Sequence, residues 1–306
     1  MLKTAANFIT ARLTWLIIGA GLLGFIFAPL ANSLTPTTPG LLALMMLGSG
    51  FNLSLHQVWR VRSTLRLTAS LLFLQLSLLP LLGFGLYQLL PNPALAIGML
   101  AIGVAPSEIT SALMTLLAGG NLGLATRLMA LSIFLSAFLT PFWLSLFLEQ
   151  RVPLDLGAMA IELGLIITLP FIIASGLRTR YNNLAKYETE FGGLSALAVV
   201  LLIFVVGGSL ASFGLNLEVG WLALACLGFN LAGYGLGLAS SWLTHQKLPE
   251  TIALIFSSGM REFGIATTVA LDFLPPGAAL APALYGMIMM LSASLLASYF
   301  KKNYGN

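Results

Sequence analysis

Apolar residues run in long stretches along this chain, and the stretches stop at turn-formers. A bilayer core takes about 20 apolar residues per helix. Ten segments reach that length: 13–31, 40–57, 66–90, 94–117, 122–148, 157–178, 191–212, 217–243, 249–272 and 277–300. Between them stand Pro36 and Pro39, Pro91 and Pro93, Gly119-Gly120-Asn121, Pro153 and Pro275-Pro276, residues that punctuate local structure. The pattern predicts an all-α membrane protein with ten transmembrane helices. The first run follows Lys3 and Arg12 as a signal peptide would, but it exceeds the usual apolar region of about 7–15 residues and reads as a first span. Ten helices divide five plus five. An odd number per half makes the halves enter the membrane from opposite sides, which predicts two inverted five-helix repeats, 1–150 and 151–306, in one integral membrane unit.

Composition agrees. Of 306 residues, 58% are hydrophobic and 8% charged, against about 25% charged in a soluble domain. So few charges cannot clothe a water-facing surface. The net charge of +4 comes without a basic block, so nucleic acid is not an expected partner. Cys226 is the single cysteine, which excludes an intrachain disulfide and a cysteine metal cluster. His56 and His245 each stand alone near a helix end. The sequence has no Walker loop, HExxH or serine nucleophile elbow, and Gly19-Ala20-Gly21 lies inside an apolar helix with no strand before it. No enzyme, resident cofactor or ATP-driven pump is expected.

Basic residues give the orientation. With the N-terminus inside, eleven of them (Lys3, Arg12, Arg60, Arg62, Arg66, Arg178, Arg180, Lys186, Lys247, Lys301 and Lys302) fall on the inner side, and Arg151 alone falls outside. Both termini are then cytoplasmic. Trp59, Trp143, Trp221 and Trp242 sit near predicted helix ends, as interfacial aromatics do.

Chemistry gathers in the fourth and ninth segments. The fourth reads Ala105-Pro106-Ser107-Glu108-Ile109-Thr110-Ser111. Pro106 has no amide hydrogen and clashes with the preceding turn, so it kinks or breaks the helix. The ninth reads Ser257-Ser258-Gly259-Met260-Arg261-Glu262. A charge at the bilayer centre costs about 2.5–3.5 kcal/mol on insertion scales, so Glu108, Arg261 and Glu262 should face one another or a hydrated pocket. Arg261 is expected to pair with Glu108, Glu262 or both. Such a pair either serves the solute or only braces the helix crossing. Two interrupted helices at matched positions point to a transporter's binding site. Arg127 either snorkels to the cytoplasmic face or lines the cavity, and Glu162 snorkels to the outer face. Gln75 and Asn230 are mid-membrane amides that serve either helix–helix hydrogen bonds or the cavity.

The residues also resemble a known family. Ala105-Pro106, Thr110–Ala118 and Gly120-Asn121 are similar to the helix-four stretch of the bile acid:sodium symporters, in which a proline-glycine break leads into SNVMTYLAxGN. Gly259-Met260 with Gly264-Ile265-Ala266 resembles their helix-nine motif EVGMQNSGLA, and 46–51 resembles MFGMGL. The resemblance covers nearly the whole length. It implies a panel domain (helices one, two, six and seven), a core domain (three to five and eight to ten), broken helices four and nine crossing in the core, and sodium bound there. The ligand positions differ here. Ser111 and Gln75 are kept. Ala112 replaces an asparagine, Ala125 and Met129 replace hydroxyl residues, Ser257 replaces a glutamate and Arg261 replaces a glutamine. A residual sodium site would comprise Gln75, Ser111 and Ser257. A guanidinium is always charged, so Arg261 is expected to stand in for the cation, with Glu108 or Glu262 carrying a proton.

The expected function is secondary active transport of a small organic anion or amphipathic solute by alternating access, coupled to sodium or a proton or uncoupled, in a bacterial-type inner or plasma membrane. The alternative is a non-transporting sensor or channel on the same fold. The site residues are Gln75, Pro106, Ser107, Glu108, Thr110, Ser111, Ser257, Ser258, Arg261 and Glu262, with Arg127 and Asn230 at the cavity.

Overall fold

The computed structural model describes residues 2–53, 65–148, 155–214 and 216–304. His56, Trp59, Arg60, Arg62 and Arg151 lie outside the described residues. The described residues are helical almost throughout. In order come α1 (Leu2–Ala11), α2 (Leu13–Ile26), α3 (Ala28–Ser33), α4 (Thr38–Phe51), α5 (Leu65–Leu89), α6 (Pro93–Val104), α7 (Thr110–Leu117) and α8 (Leu122–Leu148). Then come α9 (Leu156–Leu163), a π-helical turn (Gly164–Thr168), α10 (Leu169–Arg180), α11 (Glu188–Phe213), α12 (Leu217–Leu243), α13 (Leu248–Gly259), α14 (Phe263–Phe273) and α15 (Leu280–Tyr304).

Local chemistry sets many of the starts. Pro29, Pro39, Pro93 and Pro249 occupy the first turns of α3, α4, α6 and α13, where a missing amide hydrogen costs nothing. Asn92, Asp155 and Asn216 cap α6, α9 and α12 through their side-chain oxygens.

The expectation of ten transmembrane helices is wrong. Among the described residues six helical stretches are long and apolar enough to cross a membrane: Leu71–Leu89, Leu122–Leu148, Leu156–Arg180, Asn182–Ala211, Leu217–Leu243 and Leu280–Tyr304. The count rises to seven if α1 and α2, bent by 77°, form one span. Apolar length in sequence overcounts because an apolar run need not wind as one helix. The run 94–117 divides into helices of 12 and 8 residues, and 249–272 into helices of 12 and 11. The runs 13–31 and 40–57 give helices of only 14 residues each. At 1.5 Å per residue, 14 residues reach about 21 Å, short of the ~30 Å hydrocarbon core. The scheme of two inverted five-helix repeats with panel and core domains rested on ten spans and falls with them.

Packing places the two interrupted stretches inside and leaves α2 and α3 with exposed apolar faces. α11 lies along α2 and α4 and also meets α1 and α3, while α10 packs on α4. α2 and α11 approach so closely that a Cβ on Gly24 would fall 2.0 Å from the Phe204 carbonyl oxygen. Elsewhere α5 packs on α6, α12 on α13, and α15 on α6 and α12. The interrupted stretches are enclosed: every residue from 95 to 108 and from 252 to 270 is buried.

Candidate functional site

α6 stops at Val104 because Pro106 forces the residue before it out of the helical region. Ala105 is extended, with φ −64° and ψ 153°. α13 stops at Gly259, and Met260 is likewise extended, with φ −104° and ψ 117°. The two extended stretches lie antiparallel and bridge at Ser107 and Arg261. The Glu108 amide donates to the Met260 carbonyl at 2.9 Å, and the Glu262 amide to the Pro106 carbonyl at 2.9 Å. Backbone groups away from water must find partners inside the protein, and each break supplies partners to the other.

The frayed helix ends are satisfied by side chains from their neighbours. The Gly259 carbonyl accepts from Asn230 Nδ2 and from the Tyr285 hydroxyl, both at 2.7 Å. The Val104 carbonyl accepts from Thr140 Oγ1 at 3.1 Å, and the Ser257 carbonyl from Ser107 Oγ at 2.9 Å. The Ser107 amide donates to Ser132 Oγ at 3.0 Å. Arg261 Nη2 donates to the Ala105 carbonyl. Gly259 has no room for a side chain, since a Cβ there would lie 2.0 Å from the Tyr234 ring.

Extended backbone sends successive side chains to opposite faces, and this sorts the charges. Ser107 and Arg261, as bridge partners, share one face, and Glu108 and Glu262 share the other. The two carboxyls accordingly face each other. Glu262 Oε2 accepts from the Ile109 amide at 3.2 Å, and Glu108 Oε1 from Thr110 Oγ1 at 3.4 Å. The pairing of Arg261 with Glu108 or Glu262 expected from sequence does not form. Among the described residues the ion pair found is Arg178–Glu188, at 2.6 Å. The Arg261 guanidinium turns instead to the end of α6, beside Tyr285.

Glu108, Arg261 and Glu262 are completely buried. The Glu108 and Glu262 carboxyls meet each other, while among the described residues Arg261 Nε and Nη1 have no hydrogen-bond partner. Ser257 Oγ and Gln75 Oε1 are in the same condition. Buried polar atoms left in this state are costly and single out the crossing as the chemically unusual part of the molecule.

The remaining candidates divide. Gln75 joins the crossing by donating to Ser258 Oγ at 2.7 Å. Ser111 Oγ lies 3.5 Å from Ser107 Oγ. Arg127 sits at the contact of α8 with α5 and donates to Thr68 Oγ1 at 3.4 Å. Glu162 meets Asp272 across α9 and α14. Ser132, Thr140 and Tyr285 were not anticipated. They lie in ordinary apolar runs, and only their place beside a broken helix gives them a role.

Comparison with known proteins gives this geometry a context. Residues 39–217 match the model of the Sodium Bile acid symporter family, more than half of the 306-residue chain. The chain is 26% identical over 292 residues to the uncharacterized sodium-dependent transporter YocS of Bacillus subtilis (strain 168), covering 94% of this chain and 90% of that protein. It is 29% identical over 163 residues to the probable sodium/metabolite cotransporter BASS1, chloroplastic, of Oryza sativa subsp. japonica, covering 53% of this chain and 40% of that protein. The protein of the same name in Arabidopsis thaliana is 28% identical over 181 residues, with 58% and 45% covered. The chain thus spans most of the bacterial relative and less than half of each plant relative. A family match of that extent identifies the chain as a membrane transporter that belongs to the Sodium Bile acid symporter family.

Proposed function

We propose that this transporter is a secondary active carrier of a small organic anion, and that solute and coupling ion engage where the two interrupted helices cross. The observation behind this reading is a fully buried guanidinium, with Arg261 Nε and Nη1 uncommitted, close to a fully buried pair of carboxyls on Glu108 and Glu262. Ionisable residues at such depth are rare and are kept for solute or ion handling. Arg261 offers Nε and Nη1 to an anion, and a guanidinium binds a carboxylate or sulfonate through paired donors.

Coupling follows from how the bridge sorts its side chains. Arg261 shares a face with Ser107, whose hydroxyl neighbours Ser111 and bonds the Ser257 carbonyl. A fixed cation there repels sodium from the oxygens of Gln75, Ser111 and Ser257. On the other face Glu108 and Glu262 form a carboxyl pair suited to a shared proton. The relatives are named for sodium, as a sodium-dependent transporter and a probable sodium/metabolite cotransporter, and here we assign the cation's place to Arg261 and the exchangeable charge to the carboxyl pair. Lys3 and Arg12 at one end and Lys301 and Lys302 at the other favour cytoplasmic termini in a bacterial-type inner membrane.

The test is uptake into proteoliposomes of a panel of organic anions, with a sodium or proton gradient imposed separately at clamped potential. Uphill accumulation driven by the proton gradient is the expected result. Uphill accumulation that needs sodium and ignores pH overturns the coupling assignment. Equilibration without accumulation replaces the carrier by a channel.

A further inference from the structure

The charges at the crossing can be counted, and the count limits what crosses with them. The buried stretches 95–108 and 252–270 hold one cation, Arg261, and two acids, Glu108 and Glu262. The helices around them carry their charges almost entirely at their ends. Arg66 lies in the first turn of α5, Glu188 and Glu190 in that of α11, Glu218 in that of α12, Glu250 in that of α13, and Lys301 and Lys302 in the last turn of α15. Asp272 meets Glu162 near the end of α14, about 15 Å along that helix from Glu262. Arg127 bonds Thr68, about 10 Å along α5 from Gln75. Tyr234, Tyr285 and Cys226 are buried nearby and keep their protons at ordinary pH.

The two acids touch. Glu262 Oε2 accepts from the Ile109 amide and Glu108 Oε1 from the Thr110 hydroxyl. Glu108 Oε2 and Glu262 Oε1 receive no amide or hydroxyl among the described residues, and carboxyl meets carboxyl. Two carboxyl groups bond each other only when one keeps its proton. The pair then carries one negative charge and Arg261 one positive charge, so the empty crossing is neutral. A carrier passes through a state closed to water on both sides, where an uncompensated charge is expensive. A monovalent anion brought to Arg261 leaves the enclosed sum negative by one. The pair can accept one further proton, and that restores neutrality.

We infer that each monovalent organic anion crosses with one proton taken up by the Glu108–Glu262 pair, that the cycle moves no net charge, and that divalent anions are refused. This rests on the reading of the site as an anion carrier worked by protons. The proton joins the pair from the water on the side where the anion enters and leaves with the anion on the other side. The return step is made by the neutral empty site, with one proton still shared.

The experiment uses proteoliposomes holding a pH-sensitive dye, with current recorded in parallel on a solid-supported membrane. The probes are short alkyl sulfonates and polyhydroxy carboxylates, which cross lipid poorly as free acids, each beside its divalent counterpart. A tenfold proton gradient should accumulate a monovalent probe about tenfold, by mass action, with one proton entering per anion and no current. Divalent probes should be taken up about 100-fold more slowly, the effect of one uncompensated charge in mid-membrane. Glu108→Gln and Glu262→Gln each leave one acid, ionised in the empty site and protonated in the loaded one, so each should keep one proton per anion. The double variant has no acid and should carry the anion alone, with a current and no pH dependence. Melting temperatures check that the variants fold, and the current in the unaltered protein is decisive without them. Proton-driven uptake with a current, equal uptake of monovalent and divalent probes, or a double variant that still moves protons with the anion overturns the charge balance and leaves the carrier reading standing. Accumulation driven by sodium alone, or by neither gradient, removes that reading and this inference with it.

Discussion

Two contacts inside this bundle are made in opposite ways. α2 and α11 meet through glycine, with a Cβ on Gly24 only 2.0 Å from the Phe204 carbonyl oxygen and one on Gly207 only 2.4 Å from that of Gly21. α6–α7 and α13–α14 meet through backbone bridges, hydroxyls, amides and three buried charges. Small residues let helices pack where lipid gives no hydrophobic drive to associate, and the first contact uses glycines at its closest points, with apolar side chains such as Ile17 and Ile203 around them. The second accepts costly polar burial and leaves charged atoms without partners. The first contact is therefore about shape alone, and the second about what the site handles. Substitutions should separate them: changes at the first alter stability and spare transport, and changes at the second alter transport.

The largest effect is expected at Arg261. Arg261→Gln keeps the length and some of the donors while removing the charge. Uptake of the best anion in proteoliposomes should fall about 100-fold, or ~2.7 kcal/mol, with the melting temperature little changed. Uptake within threefold of the unaltered protein would make the guanidinium a brace for the crossing and erase the contrast with α2–α11.

Gly24→Leu comes next, with the opposite signature. Overpacking a tight contact costs about 1–3 kcal/mol, and here the obstacle is backbone, which cannot rotate away. The melting temperature should drop, and uptake per folded molecule should hold. A loss of uptake without a loss of stability would mean that the α2–α11 contact takes part in transport.

The two contacts were not equally legible in the sequence. Charge, proline and glycine in mid-run marked 105–111 and 257–262, because each is unfavourable there unless something compensates. Composition and motifs were enough to reach the family. The number of spans was misread, since hydropathy reports apolar length and not helical continuity. The run 40–57 is apolar enough to span, yet its helix ends at Phe51. The partners of Arg261 were misread for another reason. The expectation rested on the cost of burying charge, which says that Arg261 and the glutamates need partners but not which ones. The break is extended, and a two-residue alternation puts the guanidinium on one face and both carboxyls on the other. Tyr285 had no signal at all, because a tyrosine in an apolar helix looks the same whether or not it caps a distant one.

A subtler test lies at the Gly259 carbonyl, which Asn230 and Tyr285 both serve. Tyr285→Phe alone should cost about 0.6 kcal/mol, typical of one such bond between membrane helices, because the other donor remains, and Asn230→Ala somewhat more, because Asn230 Oδ1 also accepts from Ser292 Oγ. Together they leave a buried carbonyl unmet, at about 1–3 kcal/mol. Thermal unfolding of the two single variants and the double variant gives the coupling directly. Strict additivity would mean that the two donors do not share the carbonyl.

The smallest expected effect isolates the contrast most cleanly, because the same side chain does the same chemistry at the crossing and at the α4–α11 contact, which shares α11 with the glycine contact. Ser49 Oγ, on α4, bonds Ser195 Oγ on α11 at 2.9 Å, and Ser195 also donates to the Met45 carbonyl at 3.0 Å. Ser107 Oγ bonds the Ser257 carbonyl at 2.9 Å. Each is a buried hydroxyl joining two helical segments. Ser49→Ala leaves Ser195 its bond to Met45, so the cost should stay at or below about 0.6 kcal/mol, and uptake should not change. Ser107→Ala removes a hydroxyl from the face that carries Arg261. Its cost in stability should be similarly small, yet uptake should fall severalfold or its ion dependence should shift. Equal uptake in the two variants would mean that the hydroxyl beside Arg261 only holds helices together, as the one at Ser49 does.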